Sequence, residues 1–222
     1  DGHVRFKEHY NDWREIIASF GLGERFTNTD IREQAKGYLP TTEFYNKVYG
    51  QKGWKAITIR SLSIGQGEIL VTPLQLANQA AAIANKGYYI TPHLNRNDSM
   101  KSDIHTTLVD SVHFDVVHRG MARVMTDGTG RWYNIPELQM CGKTGTVQNP
   151  HGEDHALFIG FAPMDNPQIA VAVAVENAGF GATWACPMAT LVIEQYLTGE
   201  IKRNALYERM VKANLIDKEN EQ

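Results

Sequence analysis

Residues Cys141–Pro150 read CGKTGTVQNP, and the apolar run ALFIGFAP (Ala156–Pro163) follows a short polar stretch. A third run, IAVAVAVE, occupies Ile169–Glu176. Apolar alternation broken by glycine, proline and asparagine predicts three short strands over Lys143–Gln148, Ala156–Phe161 and Ile169–Glu176. Pro163–Pro167, with Asp165-Asn166 inside, reads as the hairpin turn between the last two. In the third strand Ile169, Val171, Val173 and Val175 face one way and Ala170, Ala172 and Ala174 the other. The alanine face is expected to receive a helix over Thr183–Leu197, on which Trp184, Met188, Leu191 and Val192 recur at helical spacing.

Upstream of this meander the period is helical. Glu8–Phe20 carries Tyr10, Trp13, Ile16, Ile17 and Phe20 on one side, and Gly21 is a natural stop. The stretch FGLGERFTNTDIREQAKGYLP reads as irregular. Thr72–Lys86 has a capping threonine, Pro73 in the first helical position, Gln75 as the capping-box partner and Gly87 at its end. A further helix fits Phe114–Met125, and Asp127-Gly128-Thr129-Gly130 breaks it. The tail, residues 203–222, is polar and expected to fray. Helices, then a meander, then a helix define an α+β class rather than alternating βαβ units.

The bulk numbers set limits. A chain of 222 residues with 42% hydrophobic composition supports a substantial core. Its net charge of −3 and lack of a basic block argue against nucleic acid as a partner. No apolar run approaches the roughly 20 residues of a membrane span. Cys141 and Cys186 lack metal-ligand spacing and read as buried thiols, and no cofactor motif is present. The glycine pairs at 21–23, 65–67 and 128–130 lack the third glycine of a dinucleotide loop and read as turns. Ser61-Leu62-Ser63-Ile64-Gly65 lacks the first glycine of a nucleophile elbow. His151-Gly152-Glu153-Asp154-His155 gathers four potential metal ligands, but on one short loop it reads as a polar hairpin connection, so no metal site is expected.

Lys143-Thr144-Gly145-Thr146 has a more specific chemistry. The lysine opens a strand, and Thr144 and Thr146 sit two apart, so their hydroxyls share a face. Gly145 removes a side chain where another group could approach. A cation, paired hydroxyls and an unobstructed backbone suit a carboxylate attached to an extended peptide, bound by strand addition.

Nearly the whole chain resembles the C-terminal part of the transpeptidase domain of class B penicillin-binding proteins, of the penicillin-binding protein 2 kind. The resemblance rests on Ser63-Ile64-Gly65-Gln66-Gly67 with Thr72-Pro73-Leu74-Gln75-Leu76-Ala77, on Gly128-Thr129-Gly130, and on Gly142-Lys143-Thr144-Gly145-Thr146. His155–Pro163 and Ile169–Asn177 extend it. It implies an incomplete penicillin-binding protein/serine β-lactamase-like transpeptidase fold, with residues 1–222 forming a portion of a single domain. It also implies an enzyme that cross-links peptidoglycan stem peptides ending in D-Ala-D-Ala, binds β-lactams, works with cell-elongation proteins and needs no cofactor. Its location would be the periplasmic side of the bacterial inner membrane. By the same resemblance Lys143 assists the proton network, and Lys143, Thr144, Gly145 and Thr146 bind substrate. The Thr146 N–H would form half of an oxyanion hole.

The family's SxxK and SxN motifs are not found. The serines are Ser19, Ser61, Ser63, Ser99, Ser102 and Ser111, and none is followed by lysine at the third position or asparagine at the second. The chain is therefore expected to carry one of the three active-site motifs and to be inactive alone. Three strands of the family's five-stranded sheet are expected, leaving Ile169–Val175 as an apolar edge prone to self-association. Two other readings share the fold: a non-catalytic scaffold module, and a β-lactamase or penicillin sensor. The SIGQG and TPLQLA stretches favour the transpeptidase.

Overall fold

A computed structural model of the chain describes residues 2–96 and 103–216. Ser99, Ser102 and the last part of the polar tail, 217–222, lie outside the described residues. The chain divides into two units, Asp1–Ala82 with Gly87–Asp110, and Ile83–Lys86 with Ser111–Gln222. Among the described residues no helix is long and apolar enough to cross a membrane.

The first unit contains helices α1 (Gly2–Ala18), α2 (Thr42–Tyr49) and most of α3 (Pro73–Ala84), and a two-stranded antiparallel sheet of β1 (Tyr88–Ile90) and β2 (Ile104–Thr106). Helix α1 begins six residues before the start predicted at Glu8. Its aromatic face enters a core of Tyr10, Tyr45, Trp54 and Leu62. The Tyr45 and Trp54 rings stack at 5.0 Å, and Tyr10 meets Trp54 edge-on at 5.4 Å. The capping box at α3 is present: Gln75 Oε1 accepts from the Thr72 N–H at 3.0 Å, and the Gln75 N–H donates to Thr72 Oγ1 at 3.1 Å. The amide of Gln75 also donates to Glu24 O at 2.9 Å and Lys36 O at 3.0 Å, which anchors the irregular stretch read from sequence.

The second unit is a three-stranded antiparallel sheet with a helix on each face. Strand β3 is Cys141–Val147, β4 is His155–Ala162 and β5 is Ile169–Val175, in the order β3-β4-β5. This is the expected order, with β3 at one edge and β5 at the other among the described residues. Helix α4 (Phe114–Thr126) brings Met121 against Cys141, Phe161 and Ala170, which form one cross-strand row. Helix α5 (Ala185–Thr198) covers the opposite face.

Here the expected packing is corrected. The valine face of β5, not the alanine face, lies against α5: Val171, Val173 and Val175 join Ala185, Cys186, Ala189 and Ile193 in one core. The small residues that permit close approach are on the helix, and the bulk is on the strand. Val192, predicted to face the sheet, is half exposed. The tail is corrected too: residues 204–212 form helix α6 (Asn204–Lys212). Arg203 holds its start, donating to Glu194 Oε2, Tyr133 O and Thr190 O at 2.8 Å each.

Candidate active site

The Lys-Thr-Gly-Thr segment lies within β3, whose single strand neighbour among the described residues is β4. An edge position of this kind is where an extended peptide adds to a sheet. The register pairs Lys143 with Ile159, Thr144 with Phe158, Gly145 with Leu157 and Thr146 with Ala156. Phe158 and Ala156 belong to the core under α5, so Thr144 and Thr146 are on the α5 side of the sheet. Lys143 and Gly145 alternate to the α4 side. The threonines thus share a face as expected, and the lysine lies across the strand from them.

Glycines determine how closely this strand is held. A Cβ at Gly142 would lie 2.2 Å from the Phe158 ring, and one at Gly160 would lie 2.7 Å from it. Gly142 and Gly160 are directly paired, so the Phe158 ring covers both glycines and fills the space their side chains vacate. Gly181, in the segment between β5 and α5, approaches from elsewhere: its Cβ would fall 2.2 Å from Gly145 O and 2.4 Å from Leu157 O. The Gly181 N–H donates to Thr146 Oγ1 at 3.4 Å.

Lys143 is exposed, and its Nζ donates to Thr144 O at 2.6 Å. Thr144 Oγ1 lies 2.8 Å from Thr129 Oγ1. Thr129 is the middle residue of Gly128-Thr129-Gly130, which read from sequence as turn chemistry. It is that turn, and it also delivers a hydroxyl to the strand. Neither this contact nor that of Gly181 was legible beforehand, since each joins residues far apart in the chain with no periodic signal.

The remaining candidates have local partners. Ser63 is exposed in a 3-10 helix, Arg60–Ile64, and donates to Arg60 O at 2.7 Å. In the His151–His155 segment, Asp154 O accepts from the Ala178 and Gly179 N–H groups, and His155 Nδ1 accepts from Asn177 N–H at 3.1 Å. These bonds tie the hairpin loop to the end of β5. Among the described residues no group of three or more His, Cys, Asp or Glu side chains could hold a metal ion. Cys141 and Cys186 are free and buried, in the cores on opposite faces of the sheet. Burial pushes both thiols up to about 12.

An α+β unit whose edge strand carries Lys-Thr-Gly-Thr, preceded by a Gly-Thr-Gly turn, is the arrangement of penicillin-recognising transpeptidases. The chain belongs to the penicillin binding protein transpeptidase domain family, whose model matches residues 5–194. It is 32% identical over 214 residues to the peptidoglycan D,D-transpeptidase MrdA of Acinetobacter baumannii, a match covering 86% of this chain and 31% of that protein. The crystal structure of Pseudomonas aeruginosa PBP2 in complex with WCK 5153 is similar with a TM-score of 0.74 and 35% identity, over 87% of this chain and 44% of that one. The fold is shared with Helicobacter pylori PBP2 in its complex with MreC, at a TM-score of 0.74 and 24% identity, over 88% of this chain and 38% of that one. The chain spans about a third of the length of the curated relatives it matches.

Proposed function

We propose that these residues are the Lys-Thr-Gly-bearing portion of a single transpeptidase domain in a peptidoglycan D,D-transpeptidase of cell-wall elongation. The observation that carries the reading is the placement of Lys143-Thr144-Gly145-Thr146 on β3, a strand at the end of the sheet order β3-β4-β5. A stem peptide ending in D-Ala-D-Ala, or the β-lactam that mimics it, lies along that edge. Thr144 and Thr146 donate to its terminal carboxylate from one face of the strand. Lys143 supplies positive charge and joins the proton network from the other, and Gly145 leaves room for the ligand backbone. The Thr146 N–H contributes to the oxyanion hole.

The serine that attacks the peptide carbonyl comes from sequence outside these residues, because no serine here stands in an SxxK or SxN motif. The chain alone is accordingly inactive. The parent works on the periplasmic side of the inner membrane with elongation proteins, of which the MreC bound by the Helicobacter relative is an example of the kind. The edge of β5, apolar through its seven residues and without a second strand neighbour among the described residues, is a site for pairing with a further strand or a second copy.

The test is intact mass after incubation with benzylpenicillin, on this chain and on a protein extended N-terminally to an SxxK serine. An adduct on the extended protein alone supports the reading. An adduct on this chain alone transfers the nucleophile to one of its own serines, Ser61 or Ser63 first, and overturns it. No adduct on either protein leaves the fold and moves the function to a scaffold.

A further inference from the structure

Thr129 and Thr144 are each the other's hydrogen-bonding side chain. Their hydroxyl oxygens lie 2.8 Å apart, and no other side-chain bond of either hydroxyl occurs among the described residues. Fifteen residues separate them, so the contact is made by the fold. Thr129 is also held firmly. The Gly128 N–H donates to Arg123 O, and the Gly130 N–H donates to Val124 O, both at 2.9 Å, in the last turn of α4. A Cβ at Gly128 would lie 2.8 Å from Val124 Cα, and one at Gly130 would lie 2.6 Å from Met125 Sδ. The two glycines therefore let the turn sit directly on the helix end, with Thr129 projecting from it.

A threonine hydroxyl has one proton and two lone pairs. Between two such groups one proton is spent on the mutual bond and one is left. If Thr144 donates to Thr129, the Thr144 oxygen has no proton for a ligand and can only accept. If Thr129 donates to Thr144, the Thr144 proton is left for the ligand. A carboxylate accepts and cannot donate, so it selects the second arrangement. A carboxamide also presents N–H donors, which an outward-pointing Thr144 proton does not suit.

We propose that Thr129 is a positioning residue that makes Thr144 a directed donor, and so tunes the Lys-Thr-Gly strand for an anionic ligand terminus over an amide. The inference rests on the transpeptidase reading above. Thr129 touches no ligand. It acts by donating to Thr144 Oγ1, which aims the Thr144 proton outward and strengthens its bond through the chain of two hydroxyls. No covalent step is assigned to it.

The experiment uses the full-length protein, with benzylpenicillin and its carboxamide derivative as probes. The pre-covalent dissociation constant and the acylation rate constant are measured separately for the parent, Thr129→Val and Thr129→Ser, along with each thermal midpoint. Valine keeps the shape and removes the donor; serine restores the donor. For Thr129→Val the carboxylate-over-carboxamide preference should fall roughly twofold, the low end of one net hydrogen bond, because Thr144 keeps its own bond to the ligand and loses only the aim and polarisation that Thr129 gives it. The change should appear in the dissociation constant, with the acylation rate constant little altered. Thr129→Ser should recover the preference. A purely structural role would lower the midpoint and weaken both probes alike, leaving their ratio unchanged, and that result overturns the proposal. So does a Thr129→Ser protein that behaves as Thr129→Val. A parent that takes no adduct from benzylpenicillin defeats the transpeptidase reading itself, and this inference falls with it; an acylated parent with an unchanged ratio defeats this inference alone.

Discussion

Adding one methyl group at Gly181 should distort the Lys-Thr-Gly strand. A Cβ there would lie 2.2 Å from Gly145 O and 2.4 Å from Leu157 O. Carbon and carbonyl oxygen in even favourable contact stay about 3.3 Å apart, so relief requires a movement of roughly 1 Å. The obstructing atoms cannot rotate away, because Gly145 and Leu157 are paired backbone in the β3–β4 ladder. Either the segment before α5 lifts, breaking the Gly181 bond to Thr146, or β3 shifts. Overpacking of this kind costs about 1–3 kcal/mol. For a chain of this size that lowers the thermal midpoint by about 2–12 °C. Gly120→Ala is the matched control: Gly120 lies within α4, and its added Cβ meets nothing within 4 Å. It should stabilise by about 0.5–1 kcal/mol through helix propensity alone. Thermal unfolding followed by circular dichroism measures both, and exchange of the amides hydrogen-bonded in the β3–β4 ladder localises the damage. A Gly181→Ala protein that melts with the parent and keeps those amides protected would refute the close-approach argument.

Gln75→Glu separates two roles of one side chain. It keeps the oxygen that accepts from Thr72 but loses the donations to Glu24 O and Lys36 O, at a site where Gln75 is 1% exposed. The cost should be at least about 2 kcal/mol, with helicity of α3 retained and proteolysis appearing in the 24–36 stretch. Arg203→Ala leaves the Glu194 carboxylate, whose side chain is 4% exposed, without its cation, although Oε1 still accepts from the Lys202 N–H, and should cost about 3 kcal/mol in urea unfolding; adding Glu194→Gln should recover part of it. At pH 8 the native protein should resist iodoacetamide at both cysteines, since burial holds their thiols up to about 12, and label at both once unfolded. The Thr91 hydroxyl, with His105 beside it, holds the Asp103 carboxyl below its ordinary value. Its stabilisation is thus fully present above the ordinary carboxylate pKa of about 3.9 and is lost as pH falls through the lowered folded value. Protection factors of the β1–β2 amides, corrected for the intrinsic exchange rate at each pH, should be higher at pH 5 than in more acid solution; equal protection factors at both would show that Asp103 contributes nothing there.

The strands of the meander were legible to within two residues at each end, because alternation, glycine and proline act locally. The start of α3 was equally plain, since Thr72, Pro73 and Gln75 are a short-range code. Where partners are distant in sequence the reading failed. Strands β1 and β2 have three residues each, too few to show a period of two. Helix α6 is polar, and its start is held by Arg203 reaching back to Glu194 and Tyr133, which composition cannot reveal. The misassigned face of β5 has a physical cause. A close helix–sheet contact needs small residues on one partner and large ones on the other, and either arrangement fills the space. Alanines on the strand allowed one solution; Ala185 and Ala189 on the helix made the other.

The alternation within β3 explains why a Lys-Thr-Gly motif belongs on an edge. Consecutive residues of a strand point to opposite faces, so Lys143 and Thr144 are divided by the sheet. In a central strand the cation and the hydroxyls would face separate compartments, and no single ligand could reach both. At an edge the division disappears: a peptide laid beside β3 lies at the rim where the two faces meet, within reach of the cation from one side and the hydroxyls from the other. The requirement is that the rim stay fixed while one side of it stays open. Phe158 over the Gly142–Gly160 pair, Gly181 against Gly145 O and Thr129 against Thr144 hold β3 by packing and hydrogen bonds that do not use a second neighbouring strand. Glycine recurs at these contacts because a missing side chain lets separate segments pack closely without occupying the edge that the proposed function assigns to the ligand.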